Sequence, residues 1–558
     1  MFSKMAEIIL NLNYLTRYLT ASHVLDSYHK RVSKKNFGLK AVFILIFLEH
    51  CTDAANILYV TPFTSTSHNM LLSPIGLELA RRGHNVTVIT SHREKNPPPN
   101  YHQVMVDDIK IWELTGGERP NVFTMTDISA EEMHHKILWG AGLAFTEVVF
   151  NSTEVRIFLR KDNAFDLVIC EQFFQEALYM LSFKYNAPLA LVTTFGNCMR
   201  HNIVVRNPLQ LATVIPEFLD VKEPGSFWGR LRSLYFTSYE YIYWRFIYLT
   251  KQEQLLQKYM TDLPKERPSL YKLQQNCSLM LINSHFSFDP PAALLPNIVE
   301  VGGLHLSRSN STLPKNLQKL MDESIHGVVY MNFGTNVRSA ELPEDKKNAF
   351  LNVFRKLKQT IIWKWEDDTL ENKPNNLVTQ KWLPQKEILA HPNVKVFISH
   401  GGLIGTQEAV FNGVPLIGVP IYCDQYNNLL MAEEAGFGKI LQYHDISEET
   451  IEKILTDVIN DEKYAKTAKE VSRRFKDRPM PALDTAMYWL EYVIRNKGAE
   501  FIKNPAKNMS WIAYAMMDVY AFILVLLIAA LLITVKLVSV LRNTLSLYQF
   551  HDIKVKKL

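Results

Sequence analysis

Val394-Lys-Val-Phe-Ile-Ser-His400-Gly-Gly-Leu-Ile-Gly405-Thr-Gln-Glu408 is the stretch on which the fold turns. Its opening VKVFIS is short, apolar and rich in β-branched residues, and glycines follow it directly, so it reads as a buried strand. The next six residues match G-x-G-x-x-G with His400 in the place of the first glycine, followed by Gly402 and Gly405. A glycine-rich turn between strand and helix exposes backbone N–H groups at the positive end of the helix dipole, a natural seat for phosphate. The imidazole of His400 adds a donor there, so a diphosphate still fits. Asp424 stands roughly where the ribose-binding acid of a dinucleotide site would be, about 20 residues on, so a nicotinamide oxidoreductase is a rival on this motif alone.

On either side the same alternation of strand and helix recurs. Downstream of the polar stretch 307–315 come VVYMNF (328–333), TIIWKW (360–365), VKVFIS (394–399) and PLIGV (415–419), separated by helical segments. Upstream, ILYV (57–60), an apolar-periodic segment at 70–82 and VTVIT (86–90) form one βαβ unit. FDLVIC (165–170) and PLALVTT (188–194) flank a further helical pattern at 175–185. The expected fold is α/β: two tandem Rossmann-like halves with a cleft between them, and ligands at the carboxyl ends of the strands. The segment 200–275 is aromatic and helical. Its Phe227, Trp228, Tyr235, Tyr239, Tyr241, Tyr243 and Trp244 read mainly as core packing, and none is taken as a site residue.

A length of 558 residues suggests three to four units at about 150 residues each. With 47% apolar and 21% charged residues, most of the chain packs a core. A net charge of +5 without a basic run gives nucleic acid no electrostatic footprint. Cys51, Cys170, Cys198, Cys277 and Cys423 show no C-x-x-C spacing, so neither a zinc site nor a disulfide framework is signalled.

Val519 to Val535 is free of charge and long enough to cross most of a bilayer, with Lys536 able to snorkel and Trp511, Tyr514 and Tyr520 placed as an interfacial belt. Arg542, Lys554, Lys556 and Lys557 follow, which puts the tail in the cytosol and the body in the lumen. Ala41 to Leu48, preceded by Lys34, Lys35 and Lys40, reads as the core of a signal peptide. Sequons at Asn85, Asn151, Asn276, Asn310 and Asn508 permit luminal glycosylation, and the terminal lysines resemble a retrieval signal for the endoplasmic reticulum. The expected location is therefore the endoplasmic reticulum membrane, single-pass type I, with the folded domains luminal.

The stretch FISHGGLIGTQEAVFNGVPLIGVPIYCDQ (397–425), together with Trp382-Leu-Pro-Gln385 and FKDRPMPALDTAMYWLEYVIR (475–495), resembles the signature of the UDP-glycosyltransferases, especially their invertebrate membrane-bound branch. The resemblance covers nearly all of 55–557. It implies a GT-B fold, with an acceptor-binding domain at 55–290 and a UDP-sugar-binding domain at 291–475; ahead of them stand an extension at 1–33 and the signal peptide read at 34–54. Helices returning to the first domain (476–510), a transmembrane helix (511–541) and a cytosolic tail (542–558) complete the layout.

Carried over position by position, the resemblance implies that Trp382 stacks on uracil, Gln385 reads its imide edge and Glu408 accepts the ribose hydroxyls. Thr335 and the His400, Gly401, Gly402 and Gly405 turn approach the diphosphate, and Asp424 and Gln425 grip the sugar hydroxyls. Ile404 stands where vertebrate members commonly have an asparagine near phosphate. In the polar loop 61–69 the resemblance marks His68 as general base, a task suited to an imidazole of ordinary pKa near 6.5. Glu171 occupies the place of the vertebrate aspartate that orients that base, while Asp166 lies five residues earlier on the same strand.

The implied reaction is inverting transfer of a hexose, glucose by branch, from a UDP-sugar to the hydroxyl of a small lipophilic phenol or alcohol. UDP-glucose is then a co-substrate, and no cofactor or metal is expected, since the chain lacks the Asp-x-Asp pattern of a cation-bridged diphosphate. The residues leave a homo-oligomer open. They also leave open a membrane-anchored UDP-sugar-binding protein that turns over poorly, given Glu171 and Ile404.

Overall fold

Two all-parallel sheets organise the chain in a computed structural model that describes residues 54–107, 121–221, 223–306 and 312–555, with side chains through 547. The expected N-terminal extension, nearly all of the signal segment, Asn310 and the terminal lysines lie outside the described residues and side chains. The first sheet holds β1 (Asn56–Thr61), β2 (Asn85–Thr90), β3 (Tyr101–Met105), β4 (Leu167–Glu171), β5 (Leu189–Val192), β6 (Leu279–Ile282) and β7 (Ile298–Glu300), in the order β3-β2-β1-β4-β5-β6-β7. The second holds β8 (Val328–Asn332), β9 (Thr360–Lys364), β10 (Leu377–Gln380), β11 (Val394–Ser399), β12 (Leu416–Gly418) and β13 (Gly438–Ile440), in the order β10-β9-β8-β11-β12-β13.

A parallel sheet is covered on both faces, which is why its central strands read as unbroken apolar runs rather than as alternating ones. Along β1, Ile57 and Tyr59 enter one core with Leu71 and Ile75 of the helix Thr66–Arg81, while Leu58 and Val60 enter another with Phe145 and Val149. Along β8, Val329 and Met331 pack with Phe350 and Trp363, whereas Val328 and Tyr330 pack with Phe397 and Val410. The strands missed by sequence reading are β3, β6, β7, β10 and β13. Each is short; β3, β7, β10 and β13 are edge strands and β6 adjoins one.

Strand order reverses between β1 and β4 in the first sheet and between β8 and β11 in the second. A crevice opens at the carboxyl ends of the strands on either side of such a reversal. β7 pairs with β6 through Met280–Ile298 and lies beyond the expected domain boundary at 290, so the first sheet runs on to Glu300.

Past the second sheet, the helix Glu462–Lys476 packs Ala468, Val471 and Phe475 against that lobe. The chain then crosses back. Leu483, Ala486, Met487 and Leu490 of the helix Ala482–Arg495 join Ile57, Tyr59 and Leu72 in a first-lobe core, and Arg82 bonds Asp484 at 2.8 Å and Glu491 at 3.3 Å. Amphipathic spacing drives this return: the apolar residues recur three and four apart, along one face.

The last helix, Met517–Val555, contains one stretch, Met517–Leu547, long and apolar enough to cross a membrane, within which 18 consecutive residues have a mean hydropathy of 2.9. It begins later than the expected 511, because Trp511–Tyr514 forms a separate short helix and Met516 turns the chain at φ +53°. The aromatic segment also differs from expectation. In the helix Phe227–Tyr243 and the turn after it, Trp244 and Tyr248 are buried, but Phe227, Trp228, Leu231, Tyr235, Ile242 and Phe246 are exposed.

Candidate active site

The two topological reversals face one cavity of about 1550 Å³, lined from the first lobe by His68, Thr194 and a set of phenylalanines and from the second by Trp382, His400 and Asp424. A pocket for one drug-sized ligand occupies roughly 300–1,000 Å³, so this volume accommodates two substrates side by side.

On the first lobe, His68 lies in the opening turn of the helix Thr66–Arg81, just past β1, and Glu171 is the last residue of β4. Their strands are neighbours, which brings His68 Nδ1 into contact with Glu171 Oε1. Thr194 Oγ1 lies 3.3 Å from the same nitrogen. Phe63 and Phe173 flank the imidazole with ring centroids at 4.9 and 4.8 Å, so the pair sits in an apolar shell. With Nδ1 held by the carboxylate, Nε2 remains for a ligand in the cavity. Glu171 itself is buried behind the histidine and does not line the cavity. Asp166 accepts from the backbone N–H of Asn56 at 2.8 Å, at the opposite end of the sheet, as a strand five residues long requires.

On the second lobe, β11 ends at Ser399 and the helix Leu403–Asn412 begins after the glycine turn. A Cβ at Gly402 would lie 2.6 Å from His400 Nε2, and one at Gly334 would lie 2.7 Å from His400 Cε1, so the ring occupies space that only glycine leaves. Burial, aided by the Lys364 ammonium, pushes His400 down to about 4. The ring is therefore a neutral donor at neutral pH, and the charge facing a diphosphate comes from the helix N-terminus and Lys364, whose Nζ also bonds Glu366 at 2.6 Å. Gly402 and Gly405 line the cavity, but Gly401 does not. At φ +89° a Cβ there would meet Leu429 Cγ at 2.5 Å, so packing by itself requires a glycine. Thr335 follows β8 and lines the same region, as does Ile404.

Farther along the second lobe, Trp382 is 59% exposed and presents its ring to the cavity. Gln385 Oε1 accepts from Asn332 Nδ2 at 2.6 Å and from Tyr330 Oη at 3.1 Å, while its Nε2 donates to Glu408 Oε2 at 2.5 Å. Burial raises the Glu408 carboxyl to about 7, with the Gln385 bond pulling the other way. His305 Nε2 approaches Glu408 at 3.6 Å, but burial drops that imidazole to about 3, so the contact is not an ion pair at neutral pH.

Asp424 caps the helix Gln425–Glu434 and accepts from Asn428 Nδ2 at 2.8 Å. Burial raises it to about 6; the Asn428 bond lowers it, and so, more weakly, does His68 from across the cleft, which places the two within electrostatic reach. Gln425 departs in part from expectation. Its Oε1 accepts from the N–H groups of Ile421 and Tyr422 at 2.8 and 3.1 Å, leaving only Nε2 to meet a sugar. Sequence reading missed Thr194, Lys364, Tyr330 and Asn332. Thr194 and Lys364 stand at or just past strand carboxyl ends, the signal that singles out His68 and Glu171, but without a motif around them.

Residues 144–548 match the model of the family described as UDP-glucoronosyl and UDP-glucosyl transferase. UDP-glycosyltransferase UGT5 of Dactylopius coccus is 37% identical over 487 residues, covering 86% of this chain and 90% of that protein. UDP-glucosyltransferase 2 of the same insect is 33% identical, covering 88% and 93%. Among solved structures, a UDP-glucosyltransferase from Polygonum tinctorium in complex with 3,4-dichloroaniline superposes with a TM-score of 0.54 at 15% identity, over 79% of this chain and 99% of that one, a likeness of fold. A family match over most of the length, two parallel-sheet lobes and a cavity at both of their reversals lead to one conclusion: the chain belongs to the UDP-glucoronosyl and UDP-glucosyl transferase family and is a GT-B UDP-glycosyltransferase.

Proposed function

We propose that the enzyme moves glucose from UDP-glucose to the hydroxyl of a small lipophilic phenol or alcohol, with inversion at the anomeric carbon. The observation that carries this reading is the shared cavity, with the His68–Glu171 pair on one wall and the His400 glycine turn on the other. The acceptor proton passes to His68 Nε2 as the acceptor oxygen forms its bond to the anomeric carbon. The bond from that carbon to the diphosphate oxygen breaks on the opposite face. Glu171 keeps the imidazole oriented and balances the positive ring that forms. The departing UDP carries its charge toward the free N–H groups of the helix Leu403–Asn412, to His400 as a neutral donor and to Lys364, so the step as proposed needs no metal.

Trp382 takes the uracil, Glu408 with Gln385 the ribose and base edge, Thr335, Gly402 and Gly405 the diphosphate, and Asp424 with the Gln425 amide the sugar hydroxyls. Glucose as donor is supported by the printed name of the 33% identical insect relative. Apolar walls built from Phe63, Phe173, Phe195 and Met133 support a lipophilic acceptor. The segment Met517–Leu547 supports a membrane anchor, and the basic residues after it support a luminal active site in the endoplasmic reticulum.

The test incubates membranes carrying the full chain with UDP-glucose, UDP-glucuronate and UDP-galactose and a panel of phenols, and assigns the conjugate by NMR. A β-linked glucoside is the expected product. An α-linked product, or no conjugate with any donor, overturns the reading.

A further inference from the structure

Three residues past Glu171, the chain is bent by Phe174, an aromatic residue held at φ +54°, in the left-handed region that side-chain-bearing residues seldom occupy. Several contacts hold that bend. The Phe174 carbonyl accepts from Tyr248 Oη and from Gln252 Nε2 at 3.1 Å, and Gln252 Oε1 accepts from the Ala177 N–H at 3.1 Å. Gly142 lies directly opposite, where a Cβ would come within 2.6 Å of the Phe174 carbonyl oxygen. Strain of this kind persists where surrounding contacts over-determine it, and it gathers at sites that hold a ligand.

The bend delivers Gln175 to the cavity wall among Met133, Gly142 and Phe218. Gln175 is 1% exposed, and neither its Oε1 nor its Nε2 has a hydrogen-bond partner. Leaving a buried polar atom unpaired is costly, so a rigid setting that leaves two unpaired at a cavity wall marks a place where a ligand completes the bonding.

Resting on the reading of this cavity as an acceptor site, we infer that Gln175 is a specificity-determining residue that pairs with a second polar group of the acceptor. The favoured acceptors are then flat, lipophilic hydroxyl compounds bearing an additional hydroxyl or carbonyl besides the oxygen that reacts at His68. An amide suits either group, because it offers a donor and an acceptor at once. Aromatic rings of the same cavity, Phe195 at 6.2 Å from the His68 ring and Phe218 at 5.5 Å from Phe195, supply an apolar surface for such a molecule.

The test measures binding rather than turnover. Full-length enzyme in nanodiscs, saturated with UDP, is titrated calorimetrically with 2-naphthol and with a series of dihydroxynaphthalenes. Wild-type enzyme is expected to bind at least one dihydroxy isomer about tenfold more tightly than 2-naphthol. In Gln175→Leu that preference falls by about tenfold while the UDP dissociation constant is unchanged. An absence of preference in the wild type, or the same preference in Gln175→Leu, overturns the inference. Should Gln175→Leu lose UDP binding through misfolding, Gln175→Glu, which keeps the shape but not the donor, is read by the same ratio. Transfer is followed in parallel: naphthols that bind with this preference yet are never glucosylated refute the proposed reaction and leave the role of Gln175 standing.

Discussion

His68 and His400 stand in opposite lobes, each just beyond a strand beside its sheet's reversal, His68 after β1 and His400 after β11, and their surroundings differ. Around His68, neighbouring β4 ends in a carboxylate, and aromatic rings close the remaining sides. Around His400 the neighbours are glycine backbone and, at the end of β9, a lysine. A carboxylate against Nδ1 prepares one ring to receive a proton, whereas burial beside an ammonium keeps the other neutral. In the proposed reaction the loop after β1 then supplies the base and the turn after β11 an uncharged donor. What differs is the charged group nearby: a carboxylate ending β4, next to β1, and a lysine ending β9, two strands from β11.

That contrast can be broken from the larger effect downward. His68→Ala is expected to lower the rate of sugar transfer by about 10²- to 10⁴-fold, as measured by conjugate formation, with UDP affinity unchanged by calorimetry. A comparable loss of UDP binding would place His68 outside the reacting end of the cavity. Glu171→Gln keeps the size of the side chain and removes its charge. Transfer should fall on the order of 10²-fold, with Glu171→Asp recovering most of it. Equal activity in all three forms would mean that the carboxylate does not serve the histidine.

Trp382→Ala should weaken UDP by about 10- to 100-fold and leave acceptor affinity alone, the loss expected for one stacked base. The smallest effect belongs to His400. Because its pKa is lowered to about 4, the ring is neutral above that value and gains a proton only as pH falls toward it. UDP affinity should therefore carry no contribution from His400 charging between pH 8 and pH 5, and His400→Asn, which retains a neutral donor, should weaken UDP by no more than about tenfold. A wild-type affinity that climbs steeply as pH falls from 7 to 5, and is flat in His400→Asn, would show that the imidazolium is the binding form.

The second lobe was the more legible in sequence, and the reason lies in how its site is built. Part of it is a strand-to-helix turn, and a turn of that shape imposes glycines at set positions after an apolar strand, as at Gly402 and Gly405. The first-lobe site is assembled from side chains far apart in sequence, with 103 residues between His68 and Glu171 and 126 between His68 and Thr194. No local pattern links them. Resemblance supplied the first two, while Thr194 and Gln175 had neither motif nor family position to mark them. The exposed face of the helix Phe227–Tyr243 was misjudged for a related reason: periodicity tells which residues share a face, not whether anything covers it.

The sequence by itself determined the doubly wound class of both lobes, the phosphate-seating turn after β11 and the apolar segment near the C-terminus, because strand burial, turn geometry and membrane thickness each act on consecutive residues. Tertiary structure alone decided that Glu171 rather than Asp166 meets His68, that His400 is held neutral by burial, that Gly401 packs against Leu429, and that the Gln175 amide is buried without a partner. Each of these depends on which atoms approach through space, and burial and charge act over those distances without regard to position along the chain.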